Sequence, residues 1–117
     1  MSAPQPEEYE LHKVSITDVI QEIDDIWLQL QQPDSAIFKE AEDDGIDPAK
    51  LAQLKPHSRS EALKLEHGGG LGAEGIALVV AFAPVAARIT KDVWSKFILP
   101  RLQRRFGSKA IKRRTRK

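Results

Sequence analysis

Residues 75–87 of this chain, GIALVVAFAPVAA, form a run of 13 positions without a polar side chain, bounded by Glu74 and Arg88. A helix of this length spans about 20 Å, which is short of the ~30 Å hydrocarbon core of a bilayer. The run therefore predicts an apolar helix that is buried in a core, re-entrant in a membrane or only partly inserted. Pro84 lies inside it and is expected to kink that helix or to begin the next one.

On the N-terminal side, a glycine-rich joint at 68–75 follows an acidic helical region at 14–67. The spacing of three and four predicts a helix over 16–32 whose apolar stripe enters a core or a dimer interface, and the stripe consists of Ile16, Val19, Ile20, Ile23, Ile26, Trp27 and Leu30. Residues that favour helix caps predict further short helices, and they are Ser15 for the first helix and then Asp34 or Ser35, Asp47 and Ser60.

On the C-terminal side, residues 76–106 combine the apolar run with a basic amphipathic helix. Val85, Ile89, Val93 and Phe97 recur on one face of that helix, and Pro100 is expected to kink or end it. The ends of the chain, 1–13 and 107–117, are predicted to be a disordered lead-in and a disordered basic tail. With no convincing strand, the sequence predicts an all-α fold.

Charge is strongly separated along the chain, although the formal net charge is only +1. Residues 1–87 carry 16 of the 17 acidic residues and 6 of the 18 basic residues, whereas residues 88–117 carry 12 basic residues against Asp92 alone. Such asymmetry predicts an anionic partner for the C-terminal third. That partner is a nucleic acid, an acidic lipid, an acidic protein or the chain's own acidic half.

Motifs for catalysis are weak. There is no cysteine, so a thiol nucleophile and a thiolate zinc site are excluded. Residues 70–75 match GxGxxG, but a dinucleotide site also needs flanking strands that the pattern does not predict. His12, His57 and His67 have no metal-ligand spacing, and the acidic run at 40–47 does not fit a calcium loop. We therefore expect a non-enzymatic protein without a cofactor or metal.

The neighbouring apolar run, amphipathic helix and basic tail favour membrane association, peripheral, re-entrant or through a short insertion. In that hypothesis the acidic helices are a protein-interaction module, and the absence of a secretory signal predicts a cytoplasmic, membrane-associated protein of bacterial type. The residues expected to insert or pack are Ile76, Leu78, Val79, Val80 and Phe82. Interfacial anchoring is assigned to Trp94 and Phe97. Electrostatic attachment is assigned to Arg101, Arg104, Arg105, Lys112, Arg113, Arg114, Arg116 and Lys117.

Other hypotheses use the same features. The chain is alternatively an adaptor or a non-specific nucleic-acid-binding protein with a basic tail. Helix 16–32 is a candidate for homo-oligomer formation. The acidic helical half, the glycine run at 68–70 and the cationic remainder also resemble precursors of bacteriocins with double-glycine leaders, which implies cleavage after Gly69 or Gly70. This chain departs from them in having three glycines and a leader of nearly 70 residues.

Overall fold

The computed structural model describes residues 5–68 and 76–114, and it shows an α+β fold. A four-stranded antiparallel sheet has the order β2-β3-β1-β4. Its strands are β1 (Glu7–Leu11), β2 (Leu63–Gly68), β3 (Ile76–Phe82) and β4 (Ile111–Arg114). The predicted all-α fold is therefore wrong.

Helices occupy most of the chain between the strands. Four come between β1 and β2, namely α1 (Ile16–Leu30), α2 (Ala36–Asp43), α3 (Pro48–Leu54) and α4 (Arg59–Ala62). After β3, a 3-10 turn (Pro84–Ala86) leads into α5 (Ala87–Val93), a π-helical segment (Trp94–Ile98) and α6 (Leu99–Phe106). Both groups of helices contribute to one apolar core, so the acidic and basic halves of the chain fold against each other.

The helix starts follow local capping chemistry. The hydroxyl of Ser15 accepts from the amides of Thr17 and Asp18, which confirms the predicted start of α1. Ser35 and Asp47 cap α2 and α3 in the same way. The prediction of Ser60 as a cap is wrong, because Ser58 forms a capping box with Glu61 and α4 begins two residues earlier than expected.

The apolar run at 75–87 is the main correction. Residues 76–82 form the strand β3, which lies between β1 and β2 at the centre of the sheet. Leu78, Val80 and Phe82 alternate into the core, while Val79 on the other face is half-buried. A continuous apolar run shows neither the helical nor the strand spacing of apolar residues, so its sequence does not distinguish the two conformations. Here the run is a strand because it pairs with β1 and β2. Pro84 begins the next turn, as one of the two alternatives predicted.

The ends of the chain are also ordered where disorder was predicted. Within the lead-in 1–13, residues 7–11 form β1, and within the tail 107–117, residues 111–114 form β4. The two strands pair with Tyr9 opposite Arg113 and Leu11 opposite Ile111. Charged residues dominate both segments, so only their pairing with each other and with β3 makes them strands. Residues 1–4 and 115–117 lie outside the described part.

The helical stretch from α5 to α6 continues through Pro100, which was predicted to kink or end it. Proline has no N–H to donate to the carbonyl of Lys96. The preceding π-helical segment widens the turn, and the amide of Leu99 donates to the carbonyl of Trp94, five residues back. Gly107 ends α6 with a φ of 107°, a value that favours glycine.

Candidate functional site

Most of the described residues that were predicted to enter a membrane lie inside the protein. Leu78, Val80 and Phe82 belong to the core, and Trp94 and Phe97 have no exposed surface. Val79 is half-buried on the outer face of the sheet, and the side chain of Ile76 is outside the described part. Across residues 5–68 and 76–114, no helix has the length and apolar character needed to cross a bilayer. The description as an all-α, membrane-associated protein is corrected accordingly: the segment expected to insert is the central strand of a sheet.

Part of the basic third is neutralised by the acidic half of the same chain. Arg101 Nη1 lies 2.5 Å from Glu40 Oε2, and Arg105 Nε lies 3.3 Å from Glu22 Oε1. These ion pairs join α6 to α2 and α1. One of the anionic partners predicted from the charge separation is thus supplied internally, although exposed pairs of this kind contribute at most about 1 kcal/mol each.

A groove beside α6 holds basic residues that are not used in this way. Its volume is about 520 Å³, and it is lined by Asp44, Lys96, Pro100, Gln103, Arg104 and Ser108. Within the described ranges, neither Lys96 nor Arg104 forms an ion pair. The groove therefore offers two cationic groups and a hydroxyl, donor types that contact phosphate oxygens in protein complexes, next to the carboxylate of Asp44. The amide nitrogen of Gln103 also lines the groove, and it already donates to the carbonyl of Ile111.

Arg104 also reaches a neighbouring groove of about 410 Å³, lined by Glu22, Arg101, Arg104 and Arg105. Residues three and four apart lie on one face of a helix, so these arginines form a continuous surface on α6. The guanidinium of Arg101 lies 5.8 Å from the centre of the Phe97 ring, and that of Arg105 lies 5.7 Å from the Phe106 ring. Stacking on aromatic rings limits the freedom of both guanidinium groups.

We define the basic surface as Lys96, Arg101, Arg104 and Arg105 with the groove residues Gln103 and Ser108. The sequence predicted its three arginines, and it did not single out Lys96, Gln103 or Ser108. Lys96 and Gln103 lie seven residues apart, close to two helical turns, which is a signal that was present in the pattern, whereas Ser108 lies beyond α6 and had no such signal. Of the predicted tail residues, Lys112 and Arg113 are exposed on β4, the side chain of Arg114 is not described, and Arg116 and Lys117 lie beyond the described residues.

A larger groove of about 560 Å³ lies between α1 and residues 55–61. Its polar groups bond to one another: Arg59 Nε lies 2.6 Å from Asp24 Oδ1, and the side chains of Trp27 and Gln31 both donate to the carbonyl of His57. These bonds hold α1 against the segment before α4. We therefore assign this groove a structural role.

A buried polar cluster was missed from the sequence. The hydroxyl of Tyr9 donates to Glu7, and the indole of Trp94 donates to that hydroxyl at 3.0 Å. Arg113 Nη2 lies 3.8 Å from Glu7 Oε2. Burial, followed by the hydrogen bond to the Glu7 carboxylate, raises the pKa of Tyr9 above its ordinary value. These hydrogen bonds and the contact with Arg113 connect β1 to the π-helical segment and to β4.

The described residues contain no group of three or more histidines and carboxylates positioned to hold a metal ion. The glycine run, including the proposed cleavage positions Gly69 and Gly70, lies outside the described part. Comparisons with protein-family models, with curated proteins and with solved structures find no match for this chain.

Proposed function

We propose that the protein is a non-enzymatic nucleic-acid-binding protein that contacts the phosphate backbone through the basic surface. The observation that carries the proposal is the groove in which Lys96 and Arg104 lie without an ion-pair partner in the described ranges, beside Asp44, Gln103 and Ser108. Phosphate contacts of this type position a protein on nucleic acid without reading its sequence.

Burial of the apolar side chains favours nucleic acid over a lipid surface as the partner. A helix that lies in a membrane interface needs its apolar face directed at the acyl chains. Here Trp94 and Phe97 face the core, so the exposed face of this helical stretch is polar and basic. Attachment to a bilayer would then depend on charge alone, whereas a concave groove with several donor types suits individual phosphate groups.

Recognition is expected to be independent of base sequence. Aromatic side chains that stack on bases are the usual supplement to backbone contacts on single strands. Trp94 and Phe97 are fully buried, and Phe106 is half-buried near Arg105. The affinity should therefore be mainly electrostatic, and it should fall steeply as the salt concentration rises.

The test is fluorescence anisotropy with a labelled mixed-sequence oligonucleotide, single-stranded and duplex, titrated with the full chain at several salt concentrations. The variant Lys96→Glu/Arg104→Glu removes the two unpaired cations of the groove. We expect its affinity at low salt to fall at least about tenfold, and its slope of log K against log salt to decrease by about 1.5.

The matched control is Lys39→Glu/Lys55→Glu, which changes the net charge equally at two exposed positions that line neither groove of the basic surface. We expect the control to bind close to wild type. Equal losses of affinity in both double variants would show a general effect of net charge and would contradict the assignment of the binding site to this groove. Binding to phosphatidylserine vesicles without binding to either oligonucleotide would overturn the nucleic-acid assignment in favour of a lipid surface, and binding to neither would overturn the function.

A further inference from the structure

The sheet has two edge strands, β2 and β4, and they differ in how they are protected. Strand β4 is four residues long, and three of them are basic. The side chain of Gln103 donates to the carbonyl of Ile111 at 3.2 Å. Short length, like charges and a side-chain cap all oppose pairing with another strand.

Strand β2 is longer, and its outer edge carries backbone groups that can pair. The amide of Ala83 donates to the carbonyl of Ala62, and antiparallel pairs alternate, so the backbone groups of Lys64 and Glu66 point to β3. Those of Leu65 and His67 point away from it. No strand in the described ranges pairs with this edge.

Arg59 limits how far along this edge pairing can extend. The amide of Leu63 donates to the carbonyl of Arg59, and the carbonyl of Leu63 accepts from Arg59 Nη1 at 3.1 Å. The first residue of β2 is thereby occupied, and its amide cannot pair with another strand. The open backbone groups of the edge are therefore those of Leu65 and His67. A two-fold pair centred between them would place Glu66 opposite Glu66, so the register without like charges is the one centred on Leu65.

The side chains on either side of Leu65 carry opposite charges, so this part of β2 is complementary to the same part of β2 in a second copy of the chain. Lys64 and Glu66 are both exposed on the outer face of the sheet, and neither forms an ion pair with any described residue. An antiparallel copy centred on Leu65 places Lys64 opposite Glu66 of the second copy, and the two-fold axis repeats that pair. Leu65, half-buried on the core face, then meets Leu65 of the second copy.

We propose that β2 is a self-association edge, through which two copies of this chain pair antiparallel to form one continuous sheet. Reciprocal hydrogen bonds between the two Leu65 residues and two Lys64–Glu66 contacts define the interface. The same pairing through β4 would bring basic residues together, so the arrangement selects β2. This inference does not depend on the proposed nucleic-acid binding.

The test is sedimentation equilibrium of the full chain over a concentration series reaching about 1 mM, because an interface built on one short strand is expected to be weak. Lys64→Glu places Glu opposite Glu66, and Glu66→Lys places Lys opposite Lys64. Each single variant is expected to weaken dimerisation at least about tenfold, since like charges directly opposite each other repel.

The charge-swapped variant Lys64→Glu/Glu66→Lys restores opposite charges across the two-fold axis, and we expect its dimerisation constant to return close to wild type. Lys39→Glu is the control for net charge, and circular dichroism checks that each variant is folded. The proposal is overturned if the wild type remains monomeric throughout the series, if the single variants dimerise like wild type, or if the swapped variant does not recover.

Discussion

The indole N–H of Trp94 donates a 3.0 Å hydrogen bond to the hydroxyl of Tyr9, 85 residues earlier in the chain. The two rings also meet edge to face, with their centres 5.6 Å apart and their planes at 65°. Both side chains are fully buried. One contact therefore joins the N-terminal strand to the helical stretch that carries the basic surface, and it makes the position of that surface depend on β1.

Removal of the Tyr9 hydroxyl is expected to destabilise the protein. Tyr9→Phe keeps the ring but leaves the indole N–H of Trp94 and a buried oxygen of Glu7 without this partner. We expect the free energy of unfolding in urea to fall by about 2 kcal/mol. Trp94→Phe and the double variant complete a cycle, and strictly additive effects would contradict a coupled network.

Titration of Tyr9 is expected to weaken the fold in alkaline solution. Its pKa is raised in the native state, so the unfolded chain loses this proton first and stability falls as pH rises above about 10. Below that pH its contribution is fully present. Tyr9 is the one tyrosine of the chain, so tyrosinate absorbance should appear together with unfolding and not before it. Tyrosinate in a protein with native circular dichroism would contradict the prediction.

Thr90 offers a stabilising substitution. It is fully buried on α5, and its Oγ1 has no hydrogen-bond partner in the part of the chain that the structure describes. Thr90→Val keeps the shape and removes the unsatisfied hydroxyl, so we expect a gain of about 1 kcal/mol in the free energy of unfolding. Thr90→Ser retains the hydroxyl and loses a methyl group, and it should destabilise by about 1 kcal/mol. Equal stabilities of the two variants would show that the hydroxyl is satisfied.

The two faces of β3 should respond differently to the same charge. Val80→Lys buries an ammonium group in the core, and we expect a loss of at least about 4 kcal/mol, sufficient to unfold many domains of this size. Val79 lies on the outer face, opposite Glu8 on β1 and Glu66 on β2. Val79→Lys should change stability by less than about 1 kcal/mol. Urea unfolding followed by circular dichroism measures both, and similar losses would contradict the assigned faces.

Local chemistry made several elements predictable. The caps at Ser15, Ser35 and Asp47 act on amides two or three residues away, and the stripe of α1 repeats with the helical period, so a short window of sequence contains both signals. The sheet was not predictable in this way. Glu7–Leu11 and Ile111–Arg114 are highly charged, and they become strands because they pair with each other across nearly the whole chain.

For the basic surface too, the sequence predicted the identity of several residues, while their interactions depend on the tertiary structure. Arg101, Arg104 and Arg105 were predicted because basic residues dominate the C-terminal third, whereas their different states depend on the fold. Arg101 and Arg105 pair with Glu40 and Glu22, and Arg104 lines both grooves. Trp94 and Phe97 were predicted as membrane anchors from the amphipathic pattern. The pattern identifies an apolar face, but it does not identify the surface that this face covers.

By itself, the sequence determined where α1, α2 and α3 begin and which helix faces are apolar, because these properties depend on residues within a turn or two of each other. It also determined how the two signs of charge are separated, which is a property of composition alone. Only the tertiary structure decided that the apolar run is a central strand, that both charged ends join its sheet, and which basic residues are left without an internal partner among the described residues. Those outcomes depend on contacts between distant segments, and their free energy appears only when the whole core is assembled.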